Sequence, residues 1–364
     1  MAPGADIIGV VFTRPATLDD VEPLTDLAGQ AGVGLTTLPK DRDLLARRIH
    51  KSVRSFERIP DRPGGESYLF VMQDEATGRV VGASGIVSKV GGFEPFYAFQ
   101  IHEEVHHCDF LRVRTAVPYL QLLRQHDGPA EVGSLFLHPD YRKKDNGRLL
   151  QLVRFLFLAE FPAAFESLVV SELRGVIDEA TGRSPFWDAV GRHFFDIDFP
   201  RADYLSVVNK KFIADLMPIH AIYIPLLPEP ARAVIGQAHE GSKPALKNLE
   251  AEGFRFCGQV DIFDAGPCVC CGRDEIRTVK ESRVGVVKEV TDQPIAGPTF
   301  IVGTRGAEFR AGACPLEVTE DGVRISSDLA RALRVDVGSD VRFAPLRPLA
   351  AGAVGGLELA ARDR

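Results

Sequence analysis

The pattern of apolar and polar residues is clearest over residues 131–160, where it predicts a strand, a loop and a helix in succession. Residues 132–137 form a short apolar run of strand type. His138, Pro139 and Asp140 end this run, because proline cannot donate to a strand ladder and aspartate favours turns. Residues 142–147 (RKKDNG) are polar and basic. After Arg148 the sequence LLQLVRFLFLAEF is apolar on most faces, which predicts a largely buried helix.

The loop at residues 142–147 has the features of an anion site, although an ordinary surface turn is an equally good interpretation of six residues. A basic loop that opens a helix presents free backbone N–H groups at the positive end of the helix dipole, which suits phosphate. Arg142, Asp145 and Gly147 follow the spacing R-x-x-G-x-G, with aspartate at the first glycine. Aspartate tolerates the left-handed backbone that glycine would supply, but its carboxylate would repel a pyrophosphate unless it turns outward.

This strand, loop and helix together resemble the acyl-CoA site of the GNAT N-acyltransferase fold. The resemblance implies that the pantetheine arm of an acyl-CoA runs along the strand at Leu135 and Leu137. It also implies that the pyrophosphate binds at Arg142, Asn146 and Gly147. The departure from glycine at position 145 concerns only the pyrophosphate contact.

Local patterns predict further elements along the chain. Apolar runs bounded by turn residues predict strands at residues 10–14, 67–73, 79–87 and 168–173, and a further strand pair within 93–107. Helical spacing predicts helices after Thr17, at 43–56, from Ser184 to about Gly191, at 201–217, at 225–237 and from 245 into a strand at 253–256. From residue 278 short β-branched runs alternate with turns, and residues 349–364 are expected to fray.

These elements predict an α+β protein with a GNAT-like acyl-CoA N-acyltransferase fold and a small β-rich C-terminal portion. A helix followed by glycine and an aromatic residue occurs at 186–194 and again at 245–256. This repetition favours two tandem acyltransferase-like halves, although it is also a common way to end a helix. The predicted domains are an acyl-CoA-binding domain at 8–200, a second, diverged half at 201–277 and the β-rich portion at 278–348.

Two stretches have alternative interpretations. Residues 32–39 (GVGLTTLP) are either a connecting loop or a loop that faces a polar substrate, since small hydroxylated residues and exposed backbone suit such a ligand. His102, His106 and His107, which have glutamates beside them, are either metal ligands or residues of a solvated strand. The solvated strand is the favoured interpretation.

Composition narrows the possible functions. With 364 residues, 45% hydrophobic and 26% charged, the chain has the composition of a soluble globular protein of two or three domains. A formal net charge of −7 argues against nucleic acid or an anionic membrane as a partner. No run of 18 apolar residues predicts a membrane span, and the first residues do not resemble a signal peptide.

Six cysteines bear on metal binding and on cellular compartment. Cys268, Cys270 and Cys271 form C-V-C-C, but the sequence has no second pair of ligands for a tetrahedral zinc site. The sequence therefore predicts no bound metal. It favours free, reduced thiols in a cytoplasmic protein.

Several long stretches in fixed order resemble one family, the arginine N-succinyltransferases of bacterial arginine catabolism. They cover most of residues 32–267: GLTTLP, SLFLHPDYRKKDNGRLL, ELRGVIDEATGRSPFWDAVGRHFF, FIADLMPIHAIY, VIGQAHEGSKPAL and GFRFCGQVDIFDAGP. The resemblance implies transfer of a succinyl group from succinyl-CoA to the α-amine of L-arginine. It further implies that His239 is the proton donor and that Leu135 contacts succinyl-CoA. From its own loop, rich in glycine and proline, His239 is predicted to be solvent-accessible.

The substrates suggest which side chains could bind them. A guanidinium calls for a carboxylate, and the candidates are Glu172, Asp178 and Glu179, which follow a predicted strand. The succinyl carboxylate calls for a cation, for which Arg174 and Lys40 are candidates. His220 is the alternative to His239 as the catalytic histidine. Since no nucleophilic cysteine or serine motif is evident, direct transfer in a ternary complex is expected.

Two other functions fit the same sequence. One is acylation of ornithine or another amino acid, or transfer of another acyl group, because single methylenes and carboxylates are distinguished only by side-chain placement. The other is a non-catalytic subunit that binds CoA or arginine. Assembly into a homo-oligomer or a hetero-oligomer with a related subunit is possible in either case.

Overall fold

The structure is a computed structural model that describes residues 10–31, 37–143, 145–319 and 321–349. Its first ten strands are β1 Val11–Pro15, β2 Ser67–Asp74, β3 Val80–Val87, β4 Gly91–Cys108, β5 Val113–Asp127, β6 Ala130–Leu137, β7 Leu168–Glu172, β8 Ile222–Tyr223, β9 Arg255–Val260 and β10 Pro267–Gly272. The C-terminal strands are β11 Arg283–Thr291, β12 Thr299–Thr304, β13 Ala311–Pro315, β14 Glu317–Thr319, β15 Gly322–Ser326 and β16 Asp340–Pro345.

The α-helices of the described ranges are short apart from two. They are α1 Val21–Gly29, α2 Arg42–Glu57, α3 Asn146–Glu160, α4 Pro185–Ala189, α5 Arg192–Phe195, α6 Phe199–Val208, α7 Lys211–Leu216, α8 Glu229–Val234, α9 Lys243–Ala251, α10 Arg277–Glu281 and α11 Ser327–Leu333. The strands join into one mixed sheet in the order β14-β15-β11-β16-β12-β13-β1-β2-β3-β6-β7-β10-β9-β4-β5-β8.

Helices cover both faces of the sheet because strand residues alternate between the faces. Along β2, Tyr68, Phe70 and Met72 belong to the core that contains most of α3, whereas Leu69 and Val71 pack in the core with α1 and α2. Phe157 of α3 contacts the rings of Tyr68 and Phe70 at centroid distances of 5.1 and 5.3 Å. The aromatic packing holds α3, and therefore the loop before it, in a fixed position against the sheet.

A cleft begins where β6 and β7 separate. These two strands pair in parallel only at Ala130 with Val169 and at Glu131 with Val170. Further along, Ser134 has a φ of 55° and the pairing of β6 with β3 shifts register, so the strand carries a β-bulge at this point. Beyond Glu131 the edge of β6 that faces β7 has no strand partner among the described residues.

The structure confirms the main elements predicted from the sequence. β6, the loop and α3 follow one another as expected, β2 and β3 form the predicted hairpin, and β7 is a buried parallel strand. The α+β class and the β-rich C-terminal portion are confirmed as well. The division into tandem halves and the domain boundaries stay predictions.

Three predictions of secondary structure were wrong. Residues 93–107 are not a strand pair but part of the single strand β4, whose partner β5 follows after a four-residue turn. The predicted helix at 201–217 is two helices, because Asn209 is extended and its side chain accepts from the backbone N–H of Lys211. Residues 278–281 continue a helix, α10, before the β-rich portion begins.

Two further predictions lie outside the described residues. The loop predicted at 32–39 is described only at residues 37–39, and the tail predicted at 349–364 only at residue 349. No helix in the described part of the chain is long and apolar enough to cross a lipid bilayer.

Candidate active site

A cleft of about 1520 Å³ runs along β6 from the bulge to the start of α3. One wall is formed by β6 and by Pro139, Arg142, Asp145 and Gly147 around the start of α3. The opposite wall is formed by the end of β7, by the loop that carries His239 and by the turn at residues 261–264. The cleft therefore brings together segments that are far apart in the sequence.

The loop before α3 has the geometry of an anion site. Arg142 Nε donates to the carbonyl of Leu137 at 2.9 Å, which holds the loop against the end of β6. Asn146 is buried, and its side chain donates to the carbonyl of Tyr141 at 3.1 Å. Gly147 lines the cleft, whereas Asn146 supports the loop from behind. Arg142 and Asp145 also line the cleft.

The strand residues predicted to bind pantetheine also lie in the cleft. Leu135 and Leu137 of β6 both line it, and Leu137 is buried at the same time in the core beneath α3. The β6 edge has no strand partner here in the described chain, so an extended ligand can lie along it, although the carbonyl of Leu137 already accepts from Arg142.

His239 lies in the cleft wall with only 12% of its side chain exposed, so the prediction of a solvent-accessible side chain was wrong. Its backbone N–H donates to the carbonyl of Arg174 at 2.9 Å, which holds the loop against the end of β7. Its Nδ1 accepts from the N–H of Gly241 at 3.1 Å, so the neutral ring carries its hydrogen on Nε2. Nε2 lies 3.4 Å from the carboxylate of Glu179.

The charged groups around His239 shift its pKa in opposite directions. Burial lowers the pKa of the His239 imidazole, and the nearby Arg174 guanidinium lowers it further. The carboxylates of Glu179 and Glu240 raise the pKa in part. The net effect is a lowered pKa, which favours the neutral ring.

Glu131 and Glu172 lie on one face of the sheet at the fork between β6 and β7. Glu131 is in register with Val170, and Glu172 follows Val170 by two residues, so the side chains of all three point to the same side. Glu172 Oε1 is buried and has no hydrogen-bond partner in the described chain. Burial raises the pKa of Glu172 well above its usual range, and the carboxylates of Asp261 and Glu131 add to the effect.

The two aspartates near Glu172 are committed to the backbone. Asp261 Oδ1 accepts from the N–H groups of Phe263 and Asp264 at 2.7 and 2.9 Å. Asp264 accepts from Gly175 at 2.7 Å and from Gly266 at 2.8 Å. Each aspartate thus has at least one oxygen engaged by backbone N–H groups, whereas Oε1 of Glu172 is buried with no hydrogen-bond partner in the described chain.

Of the other residues predicted to bind substrate or to act in catalysis, some line the cleft and others lie outside it. Glu179 and Arg174 line the cleft, and the Nε of Arg174 is buried without a hydrogen-bond partner in the described chain. Asp178 caps a turn through bonds to the N–H groups at 180 and 181, outside the cleft lining. Lys40 and His220 are exposed and do not line the cleft, which removes both from the candidate site.

Sequence analysis missed the cations that enter the cleft from helices. Arg48 and Lys51 of α2 and Lys210 after α6 line it near the bulge of β6. Their helices show ordinary amphipathic spacing, so no local signal distinguishes these residues from surface cations.

The histidines and cysteines do not form a metal site in the described residues. His102, His106 and His107 are on the long β4–β5 hairpin, where His106 and His107 are exposed. All six cysteines are free. A hydrogen bond from the Cys268 side chain lowers the pKa of the Cys257 thiol to about 7.

Comparison with known proteins assigns the chain to a family over nearly all its length. A family model described as "Arginine N-succinyltransferase beta subunit" matches residues 11–278. A second model, which describes the C-terminal domain of the same beta subunit, matches residues 283–345.

Curated proteins and a solved structure agree with these matches. The chain is 42% identical over 341 residues to an arginine N-succinyltransferase of Yersinia pestis, covering 92% of this chain and 97% of that protein. It is 41% identical over 337 residues to an arginine N-succinyltransferase subunit beta of Pseudomonas aeruginosa, covering 92% and 98%. The solved arginine/ornithine succinyltransferase subunit AI from Pseudomonas aeruginosa matches with a TM-score of 0.85 and 34% identity, over 93% of this chain and 100% of that chain.

Proposed function

The chain belongs to the arginine N-succinyltransferase family, and on this basis we propose that it transfers a succinyl group from succinyl-CoA to the α-amine of L-arginine. The products are N2-succinylarginine and free CoA. The observation that carries the proposal is the single cleft that joins the loop before α3, the open edge of β6 and His239. Both substrates bind in this cleft at the same time, so the acyl group passes directly from sulphur to nitrogen.

Succinyl-CoA binds along β6. Its pyrophosphate lies at the start of α3, where Arg142 and the backbone at Gly147 face the cleft. Its pantetheine arm follows the unpaired edge of β6 past Leu135 and Leu137, which leads the thioester towards the bulge at Ser134. From Leu137 to Gly133 the strand covers about 13 Å at about 3.3 Å per residue.

The chemical step moves one proton and one acyl group. The lone pair of the neutral α-amine attacks the thioester carbon, the C–S bond breaks, and sulphur leaves with the bonding electrons. Nitrogen then loses a proton and sulphur gains one, which matters because the thiol has a pKa of about 8.5. His239, whose Nε2 carries the hydrogen of the neutral ring, donates this hydrogen to sulphur and takes the proton from nitrogen in its place.

The side chain of the amino acid binds at Glu172. Of the three carboxylates considered, Asp178 caps a turn and Glu179 lies beside His239 and Arg174, which leaves Glu172 with an unpartnered buried oxygen. A guanidinium at this oxygen restores the pairing that a buried carboxylate requires. Ornithine also carries a cation and is the second candidate substrate. A solved relative is named as an arginine/ornithine succinyltransferase.

The proposal also covers the cellular compartment and the assembly of the enzyme. The six free cysteines support a reducing compartment such as the cytoplasm. Assembly with a second copy or with a related subunit is supported by the names of relatives, which refer to subunits.

Release of CoA thiol tests the proposed function. Purified protein is mixed with succinyl-CoA and with L-arginine, L-ornithine or neither, and the thiol is measured over time. Wild type is expected to release thiol only with an amino acid, and faster with arginine than with ornithine. His239→Ala is expected to lower kcat at least about a hundredfold, the low end of what one proton-transferring group contributes. His220→Ala serves as the matched control, because His220 is exposed and outside the cleft.

Each outcome has a distinct meaning. Absence of release with either amino acid, despite tight binding of succinyl-CoA, would favour a non-catalytic subunit. Full activity of His239→Ala would keep the enzyme and remove His239 from the mechanism.

A further inference from the structure

A basic recess opens from the cleft beside the bulge of β6. It has a volume of about 490 Å³, and four cationic side chains line it with a single carboxylate, that of Glu131. The cations are Arg47, Arg48, Lys51 and Lys210. The recess therefore carries an excess of positive charge in a protein whose net charge is −7.

Arg48 reaches the recess from α2 and is fixed there. Its Nη2 donates to Ser134 Oγ at 2.6 Å, and Ser134 Oγ in turn donates to the carbonyl of Thr37 at 3.0 Å. Ser134 is the residue with positive φ at the bulge of β6. The guanidinium is thus held at the point where the thioester of an acyl-CoA on β6 is expected.

Glu131 compensates the positive charge of the recess only in part, because it is a single carboxylate that interacts electrostatically with Arg48 and Lys210. Arg48 Nε is buried and has no hydrogen-bond partner in the described chain. No described carboxylate forms an ion pair within 4.0 Å with any of the four cations, and this includes Glu131. A buried guanidinium with an unsatisfied N–H is costly, and an anionic ligand removes that cost.

The cleft carries charges of both signs. Arg47, Arg48 and Lys51 line the recess from α2, whereas the unpartnered oxygen of Glu172 lies at the end of β7. Glu131 and Lys210 line the recess and also act electrostatically on Glu172, so they belong to both groups of charges. A dicarboxylic acyl group ends in a carboxylate and a cationic acceptor ends in a guanidinium, so the two ligands call for charges of both signs.

We propose that the recess around Arg48, with Lys51 and Lys210, binds the free carboxylate of a dicarboxylic acyl-CoA and so selects succinyl over acetyl. This inference rests on the proposed acyl transfer and names the residues that determine its donor. The succinyl carboxylate lies two methylenes beyond the thioester carbonyl, and Arg48 supplies the planar guanidinium that matches it. Acetyl-CoA leaves the recess without an anion and its cations unpaired.

The ratio of kcat/KM for succinyl-CoA to that for acetyl-CoA, with arginine as acceptor, tests the proposal. In Arg48→Gln this ratio is expected to fall by about tenfold to a hundredfold, the range for one charge-assisted hydrogen bond lost from a buried site. In Lys210→Gln a smaller fall of about threefold to tenfold is expected, because Lys210 is only half-buried. Arg54→Gln is the matched control, since Arg54 is on α2 but exposed and outside both the recess and the cleft.

An equal loss with both donors in Arg48→Gln and in Lys210→Gln would overturn the proposal, because it would mean that these residues only support the fold. Should Arg48→Gln fail to fold, the ratio of kcat/KM values in Lys210→Gln decides the test.

Binding of succinyl-CoA and acetyl-CoA in the absence of acceptor separates this inference from the proposed function. Tighter binding of succinyl-CoA by wild type, lost in the variants, would support the recess even if arginine were not acylated. Equal binding of the two donors by wild type would overturn it.

Discussion

Arg347 makes an ion pair with Asp145 at the start of α3, and its Nε lies 3.4 Å from Asp145 Oδ2. Arg347 follows β16 in the C-terminal portion, about two hundred residues away in sequence, and both residues line the cleft. An aspartate at a glycine position of a pyrophosphate loop would repel the ligand if it were left unpaired. Arg347 pairs with this carboxylate, and we expect the pair to remove the repulsion from the proposed pyrophosphate site.

Removing Arg347 is therefore expected to weaken binding of the acyl-CoA. Arg347→Ala should raise KM for succinyl-CoA by about threefold to tenfold, the size of one partly screened charge, and should leave kcat little changed. Arg347 is 64% exposed and Asp145 is 32% exposed, so solvent screens the pair and the free energy of unfolding should change by less than about 1 kcal/mol. Steady-state kinetics and urea unfolding measure the two effects.

A second substitution tests whether the effect of Arg347→Ala on KM comes from the unpaired charge of Asp145. Adding Asp145→Asn to Arg347→Ala removes the unpaired carboxylate and should bring KM part of the way back. Arg331→Ala is the control, because Arg331 pairs with Glu75 and Asp328 away from the cleft. A KM that stays at the wild-type value in Arg347→Ala would mean that the pair has no part in binding CoA.

The pH dependence of activity should follow the charges around His239. If the neutral imidazole accepts the proton of the amine, kcat/KM for arginine rises with pH through the lowered pKa of His239. Glu179 raises that pKa, so Glu179→Gln should move the rise to lower pH. Arg174 lowers it, so Arg174→Gln should move the rise to higher pH. NMR titration of the His239 ring in the free protein measures the same shifts without substrate.

Asp178→Asn is the control for these shifts. Asp178 caps its own turn and does not contact His239, so the ring should titrate as in wild type. Shifts of the same sign in Glu179→Gln and Arg174→Gln would contradict the assignment, because their opposite charges require opposite effects.

Recognition of the acceptor should depend on the charge of Glu172. Citrulline has nearly the shape of arginine and an α-amine but no cationic side chain. Wild type should prefer arginine to citrulline, and Glu172→Gln should reduce that preference by about tenfold to a hundredfold while leaving the rate with citrulline similar. Asp178→Asn again serves as the control, and an unchanged preference in Glu172→Gln would place the cation elsewhere.

Binding of arginine at Glu172 should also release protons. The pKa of Glu172 is raised in the free protein, and a bound cation favours the ionised form, so the affinity for arginine should rise with pH. Calorimetry in buffers of different ionisation enthalpy measures the released protons, and Glu172→Gln should release fewer. The charged and titratable groups that surround this carboxyl are Glu131, Lys210, Asp261, Asp264 and Cys268.

A buried ion pair is expected to contribute strongly to the stability of the contact between the end of α9 and the start of α10. Glu252, at the end of α9, is fully buried and accepts from Arg277 at 2.6 Å and from the backbone N–H of Thr278 at 2.8 Å. Glu252→Ala leaves the Arg277 charge buried and should lower the free energy of unfolding by about 3–5 kcal/mol in urea titration. Glu281→Ala, which removes the more exposed partner of Arg277, should cost less than about 1 kcal/mol.

Local patterns in the sequence predicted the elements of the fold well. The apolar run of α3 and the hairpin of β2 and β3 depend on residues a few positions apart, so periodicity and turn residues were sufficient. The long β4–β5 hairpin was misread because its outer part is exposed on both faces, so apolar and polar residues do not alternate there with the strand period. Asn209 broke a helix through a side-chain bond that no spacing rule predicts.

The candidate site was less predictable because it is assembled over long distances. Family motifs pointed to the loop before α3 and to His239, but no local signal indicated Arg48, Lys210 or Arg347. His239 was expected to be exposed because glycine and proline surround it. Its loop is instead bound to the end of β7 through the carbonyl of Arg174, a contact that sequence spacing does not encode.

The position of β1 in the sheet has a consequence for how the chain is synthesised. β1 lies between β2 and β13, with Phe12 opposite Gly312. One of its neighbours thus leaves the ribosome soon after it, and the other only near the end of translation. Until β13 arrives, one edge of β1 stays open to pairing with other chains. Chains that end before residue 311 should therefore aggregate, because β1 is made early and its partner β13 is missing.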